Sequence, residues 1–76
     1  MGNKLPRLSG KEVIKALSKI GFVTVRQKGS HVILVKETSE GKISTVVPLH
    51  PEIDKGTLLE IMRQARIKRE EFMNLL

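Results

Sequence analysis

The spacing of hydrophobic positions changes period twice along the chain. Val13, Leu17 and Ile20 recur at helical spacing, and Ile14 widens their stripe. Ser9-Gly10-Lys11-Glu12 stands just ahead of them and reads as a capping box. The Ser9 hydroxyl can accept from the Glu12 amide while the Glu12 carboxylate reaches back to the Ser9 amide. Gly21 follows the stripe and suits the left-handed position that closes a helix. The period then shortens to β-branched runs, which predict strands over about Phe22 to Gln27, His31 to Glu37 and Ile43 to Val47. Gly29 turns the first pair and the polar stretch Thr38 to Lys42 the second, so the strands form an antiparallel meander. Pro48 lacks a ladder donor and ends the third strand or restricts it to an edge.

Helical spacing returns after a stiff, two-proline connection. Leu58, Ile61, Met62 and Ala65 share one face, with either Asp54 or Thr57 as the cap; Thr57-Leu58-Leu59-Glu60 is a second capping box. A short last helix is expected from about Lys68 to Leu76, with Phe72 and the terminal leucines packing back. The order α-β-β-β-α plus a tail helix predicts an α+β fold. Its simplest form is one three-stranded antiparallel sheet with helices on one face. The 76 residues are expected to make a single domain with an economical core, residues 1–8 being a basic, loosely ordered lead-in.

Charge changes this picture more than composition does. The formal net charge is +6, and it is unevenly placed. Residues 1–36 carry Lys4, Arg7, Lys11, Lys15, Lys19, Arg26, Lys28 and Lys36 against Glu12 alone, whereas the remainder carries six cations against seven acids. A solvated basic face is common in small proteins, but segregation by half points to a polyanion partner. Lys11, Lys15 and Lys19 form a ridge on the first helix that reads as a solvated face adding long-range attraction. There is no cysteine, no apolar run of membrane-spanning length and no signal-peptide hydrophobic segment. A cytoplasmic protein with no membrane association is the expectation.

The stretch Arg26-Gln27-Lys28-Gly29-Ser30-His31 concentrates the chemistry: two cations, a turn, a hydroxyl and an imidazole. His31 can be held by rigid strands at the mouth of this hairpin and still meet solvent; it can equally be an ordinary strand residue beside a turn. Nucleotide-phosphate glycine loops are absent. The two histidines are far apart with no metal-ligand spacing, so neither a metal nor a cofactor is expected. Phe22 and Phe72 are the only aromatics, which disfavours base stacking. RNA cleavage fits what remains, because RNA carries its own nucleophile. The protein then needs a proton acceptor or donor, here His31, and cations such as Arg26, Lys28 and Lys36 for charge building on phosphorus. Ser30 can contact phosphate or satisfy the hairpin's own backbone. His50, between two prolines in a loop, can be a second proton donor or a phosphate contact, or it can brace that loop by bonding backbone, and the brace is favoured. A non-catalytic double-stranded-RNA-binding module and a protein-interaction domain are the competing readings.

From Ser9 to Leu76 the chain resembles the HicA family of toxin–antitoxin systems, small mRNA interferases with a double-stranded-RNA-binding-domain-like fold. The resemblance lies in Ser9 to Val13 with Leu17, in Gly21-Phe22, in Arg26 to His31 and in Val47-Pro48-Leu49-His50. It continues through Gly56-Thr57-Leu58, Arg63-Gln64-Ala65 and Glu70-Glu71-Phe72. It implies an α-β-β-β-α fold, a catalytic histidine in the glycine-serine-histidine motif at His31, mRNA as substrate, and inhibition by a HicB-type antitoxin. The chain departs from the family pattern at Arg66, where glycine is common, and at Lys68, where serine or threonine is common. Both changes remove punctuation, so the last two helices are expected to merge or to meet differently here.

Overall fold

The computed structural model describes residues 4–76; of the basic lead-in, residues 1–3 lie outside the described residues. Helix α1 spans Gly10–Ser18, strands β1, β2 and β3 span Val23–Lys28, His31–Thr38 and Gly41–Pro48, and helices α2 and α3 span Lys55–Ala65 and Arg69–Met73. The strands form one antiparallel sheet in the order β1-β2-β3. The expected α+β arrangement is present.

The capping signals act where the sequence puts them. Ser9 accepts from the Glu12 amide at 3.1 Å and its own amide donates to Glu12 at 2.9 Å. At the other end Gly21 has φ of 100°, the Gly21 amide donates to Ser18 O and the Phe22 amide to Leu17 O, both at 3.2 Å. Those two bonds are the Schellman pair, and they satisfy carbonyls the helix leaves open. Asp54 rather than Thr57 caps α2, accepting from the Thr57 amide at 3.0 Å and the Thr57 hydroxyl at 2.7 Å. These bonds hold the Asp54 carboxyl below its ordinary value, so the cap's contribution is present above that ordinary value and lost as pH falls through the lowered one. Glu60 is thereby left free of a capping role and engages Arg63 and Gln64 instead.

One face of the sheet is covered. Val32, Leu34 and Val47 are buried with Val13, Leu17, Leu58, Ile61 and Phe72, and both α1 and α2 pack on β3. Thr45 is buried too, its hydroxyl donating to Gln64 Oε1 at 2.8 Å across the sheet–helix junction. Leu8 joins the core at 7% exposure, and its carbonyl accepts from the Ile53 amide at 2.7 Å. Strand β1 projects past this cover: all six of its residues are exposed.

The last two helices do not merge. Arg66 takes the left-handed conformation at φ 57°, ψ 45°, and its amide donates to Arg63 O and Met62 O. It thus makes the glycine's turn without being glycine. Lys68 then starts α3 with no side-chain cap; its amide donates to Glu71 at 2.9 Å. The left-handed conformation costs a residue with a Cβ about 1–2 kcal/mol, partly offset on substitution by the extra freedom of glycine in the unfolded chain. Arg66→Gly is therefore expected to stabilise the protein by roughly 0.5–1 kcal/mol in urea unfolding, and Arg66→Ala to bring no such gain.

Gly10 is tight for a different reason. A Cβ built there would lie 2.1 Å from Pro48 O and 3.0 Å from Leu49 Cα, both backbone atoms that cannot swing aside. Gly10→Ala is expected to cost about 1–3 kcal/mol, the range for overpacking, seen as a lower urea midpoint at unchanged slope.

Candidate nucleic-acid interface

Two connections assemble the end of the sheet that carries His31. The β1–β2 hairpin closes with Lys28 paired to His31 around a two-residue turn, Gly29-Ser30. Gly29 has φ of 61° and Ser30 a negative φ, the sign pattern of a type II′ turn, which matches the twist of the strands it joins. The Gln27 side chain donates to Gly29 O at 3.0 Å and stiffens that turn. On its other side His31 is in register with Pro48 of β3, and just beyond it the Leu49 amide donates to Ser30 O at 2.7 Å. The His50 carbonyl in turn accepts from the Gly10 amide at 2.9 Å. Hairpin, the exit from β3 and the start of α1 are thus tied together by backbone bonds.

The register decides which side chains share a face. His31, Ile33 and Val35 alternate with the buried Val32 and Leu34 and so point away from the helices. Lys28 stands opposite His31, and Arg26 stands opposite Ile33, on the same outer face. The shift between Thr24 and Arg26 inserts Val25 as a β-bulge, and this puts Arg26 rather than Val25 opposite Ile33. Two cations therefore flank an imidazole on a rigid platform. His31 is exposed, and no protein group among the described residues bonds its ring.

The sequence-predicted residues are partly gathered. Arg26, Lys28, Ser30 and His31 lie together on the hairpin, and the backbone brings the exposed His50 to the same end, two residues past the Pro48 that pairs with His31. The His50 carbonyl accepts from the Gly10 amide, a bond any residue could make there, while its ring, like the Ser30 hydroxyl, bonds no protein group among the described residues. Lys36 is placed elsewhere. It belongs to the helix side of β2, five residues from His31, with its ammonium 6.0 Å from the centroid of the buried Phe22 ring. The ridge residues Lys11, Lys15 and Lys19 are exposed, and Lys19 donates to Leu75 O at 2.7 Å.

Two features went unread in the sequence. Gly10 looked like one residue of a capping box, and nothing in a single sequence signals the approach of Pro48. The β1 valines mark a strand but not its uncovered face, where Val23 is 59% and Val25 56% exposed. Their signal was available: a sheet with helices on one face must leave half of its alternate side chains uncovered.

No acid lies between residues 13 and 36 or between 41 and 51, so the one carboxylate in the three strands is Glu37, six residues along β2 from His31 and in register with Lys42. Among the described residues no three His, Asp or Glu side chains are close enough to hold a metal ion, and no helix is long and apolar enough to cross a membrane. What the arrangement offers is a solvent-facing proton carrier beside positive charge, which suits a phosphodiester. No curated protein matches the chain. A family model described as the HicA toxin of bacterial toxin–antitoxin systems matches residues 10–67, a span that takes in α1, the whole sheet and α2. The chain belongs to the HicA toxin family.

Proposed function

We propose that this chain is an endoribonuclease toxin, an mRNA interferase that cleaves RNA with His31 as its acid–base group and is held in check by a HicB-type antitoxin in the cytoplasm. The observation that carries this reading is the exposed, unbonded His31 ring fixed between Lys28 and the end of β3, with Arg26 on the same face. In the reaction the ribose 2′-oxygen attacks the adjacent phosphorus and the bond to the 5′-oxygen breaks. His31 takes the 2′-hydroxyl proton or supplies one to the departing 5′-oxygen, and Arg26 and Lys28 stabilise the charge that builds on the equatorial oxygens. Ser30 and His50 border this position and contact the phosphate backbone. Lys36, across the sheet, adds to the long-range attraction. The chemistry is assigned to protein groups and needs no metal.

His31→Gln is expected to lower cleavage of a labelled mRNA by about 10²-fold or more while leaving the unfolding midpoint and most RNA affinity unchanged. Full cleavage by the folded variant would sink the assignment, and RNA binding with no cleavage by the wild type would identify a binding module instead. A second expectation concerns the ends. Cleavage should proceed in EDTA and leave a 2′,3′-cyclic phosphate and a 5′-hydroxyl. Products ending in a 3′-hydroxyl and a 5′-phosphate, or activity abolished by EDTA, would count against the mechanism.

A further inference from the structure

The outer face of the sheet has a second character a short distance from His31. Val35 is four residues along β2 from His31, about 13 Å at the rise of a strand. It pairs with Val23, and Val25 bulges out beside that pair. Together with Gly21, Glu37 and Lys42 these three valines line a shallow hollow of about 520 Å³ on the face that no helix covers. Val46, opposite Ile33, extends the apolar surface toward His31 at 42% exposure. Scattered surface valines need no account, but contiguous ones on a rigid sheet mark a contact.

We propose that this valine surface is the anchor for the antitoxin, a folded protein that sets an aliphatic patch in the hollow and extends acidic side chains over Arg26, Lys28 and His31. The inference rests on the toxin–antitoxin reading above and says where and how the inhibitor holds. RNA does not fit the hollow: valine methyls offer nothing to phosphates or 2′-hydroxyls, and both phenylalanines that could have stacked on bases are buried. A second copy fits poorly, since each copy carries a net charge of +6 with Arg26 and Lys28 on this same face. Addition of a strand along the β1 edge is obstructed by the bulge at Val25 and by those same cations. A partner with an apolar centre and an acidic rim satisfies both halves of the face at once.

The two halves respond differently to salt. Attraction to Arg26 and Lys28 is screened, with a Debye length near 10 Å at about 0.1 M and near 3 Å at about 1 M, whereas burial of valine is not. RNA, held by the cations and by polar contacts with no buried valine, should dissociate at a salt concentration where the antitoxin remains bound.

The test is the double variant Val23→Thr with Val25→Thr, which keeps β-branched shape and charge at two exposed positions. Its affinity for the purified cognate HicB-type antitoxin is measured by titration calorimetry at low and high salt, beside its rate of RNA cleavage and its thermal midpoint. The expected result is antitoxin affinity weaker by about tenfold or more at both salt concentrations, with cleavage and midpoint unchanged. Wild-type affinity in the variant overturns the proposal. So does a parallel fall in cleavage, which would assign the face to RNA, and so does a wild-type dimer that the substitutions dissociate. His31→Gln run in the same assays keeps the two readings apart: if it still cleaves, the catalytic assignment fails while the valine result stands on its own.

Discussion

The start of α1 can lie against the end of β3 only because residue 10 has no Cβ. The gap to Pro48 O would be 2.1 Å with one, and the donor that crosses this contact is the Gly10 amide itself, bonded to His50 O. Loosening that contact would move more than a helix end. The exit from β3 is also tied to the hairpin through Leu49 and Ser30, so the position of the imidazole beside Ser30 depends on a backbone chain that begins in α1. The Ser9–Glu12 box matters for the same reason, because it satisfies the first amides of α1 while the next segment is pinned against the sheet. Local helix chemistry and the geometry of the candidate site are therefore one problem.

Covering the sheet on one face only is the second constraint. Three strands and three short helices can bury Val32, Leu34 and Val47, but nothing is left over to bury the alternate residues. Those residues divide by position. Near the hairpin they are Lys28, His31 and Arg26; farther along they are Val23, Val25 and Val35. The register that aims the imidazole at solvent exposes the valines by the same alternation, since a one-residue slip would exchange the faces of a whole strand. The bulge at Val25 is what lets β1 present both sets, returning Arg26 to the outer face after an extra residue.

Most of the fold was legible because its signals are local. The capping box, Gly21, the Gly29 hairpin and the amphipathic stripes each depend on residues within a few positions of one another, and all appear as elements where the patterns put them. What was not legible depended on contacts between distant segments or on one backbone angle. The choice of Asp54 over Thr57 as cap turned on which carboxylate reaches the amide, and Asp54 makes two bonds to Thr57. The persistence of a break at Arg66 turned on whether packing of Phe72 and Ile67 could hold an arginine in a left-handed conformation; the Arg66 and Ile67 amides both return to α2 carbonyls. Within the candidate site, the hairpin residues were found by proximity in sequence. The position of Lys36 followed from strand parity, and that became visible only once the covered face was known.

The charge asymmetry has a structural side that counting residues by half does not show. Most acids with a role in the fold are engaged within a turn of their own position: Glu12 with Ser9, Asp54 with Thr57, Glu60 with Arg63 and Gln64, Glu71 with the Lys68 amide. Glu52 pairs with Arg7 at 3.6 Å on the connection before α2. Of these, Glu60 and Glu52 are paired with arginines, whereas the caps keep their charge at the helix starts, each felt over a Debye length of about 8 Å at physiological ionic strength. Arg26 and Lys28 make no ion pair among the described residues, and the one carboxylate of the strands, Glu37, stands at the far end of β2. The same short-range bonds that start the helices thus commit these carboxylates locally, while Arg26 and Lys28 beside His31 stay unpaired among the described residues, and stability and attraction for a polyanion are served by one distribution of charge.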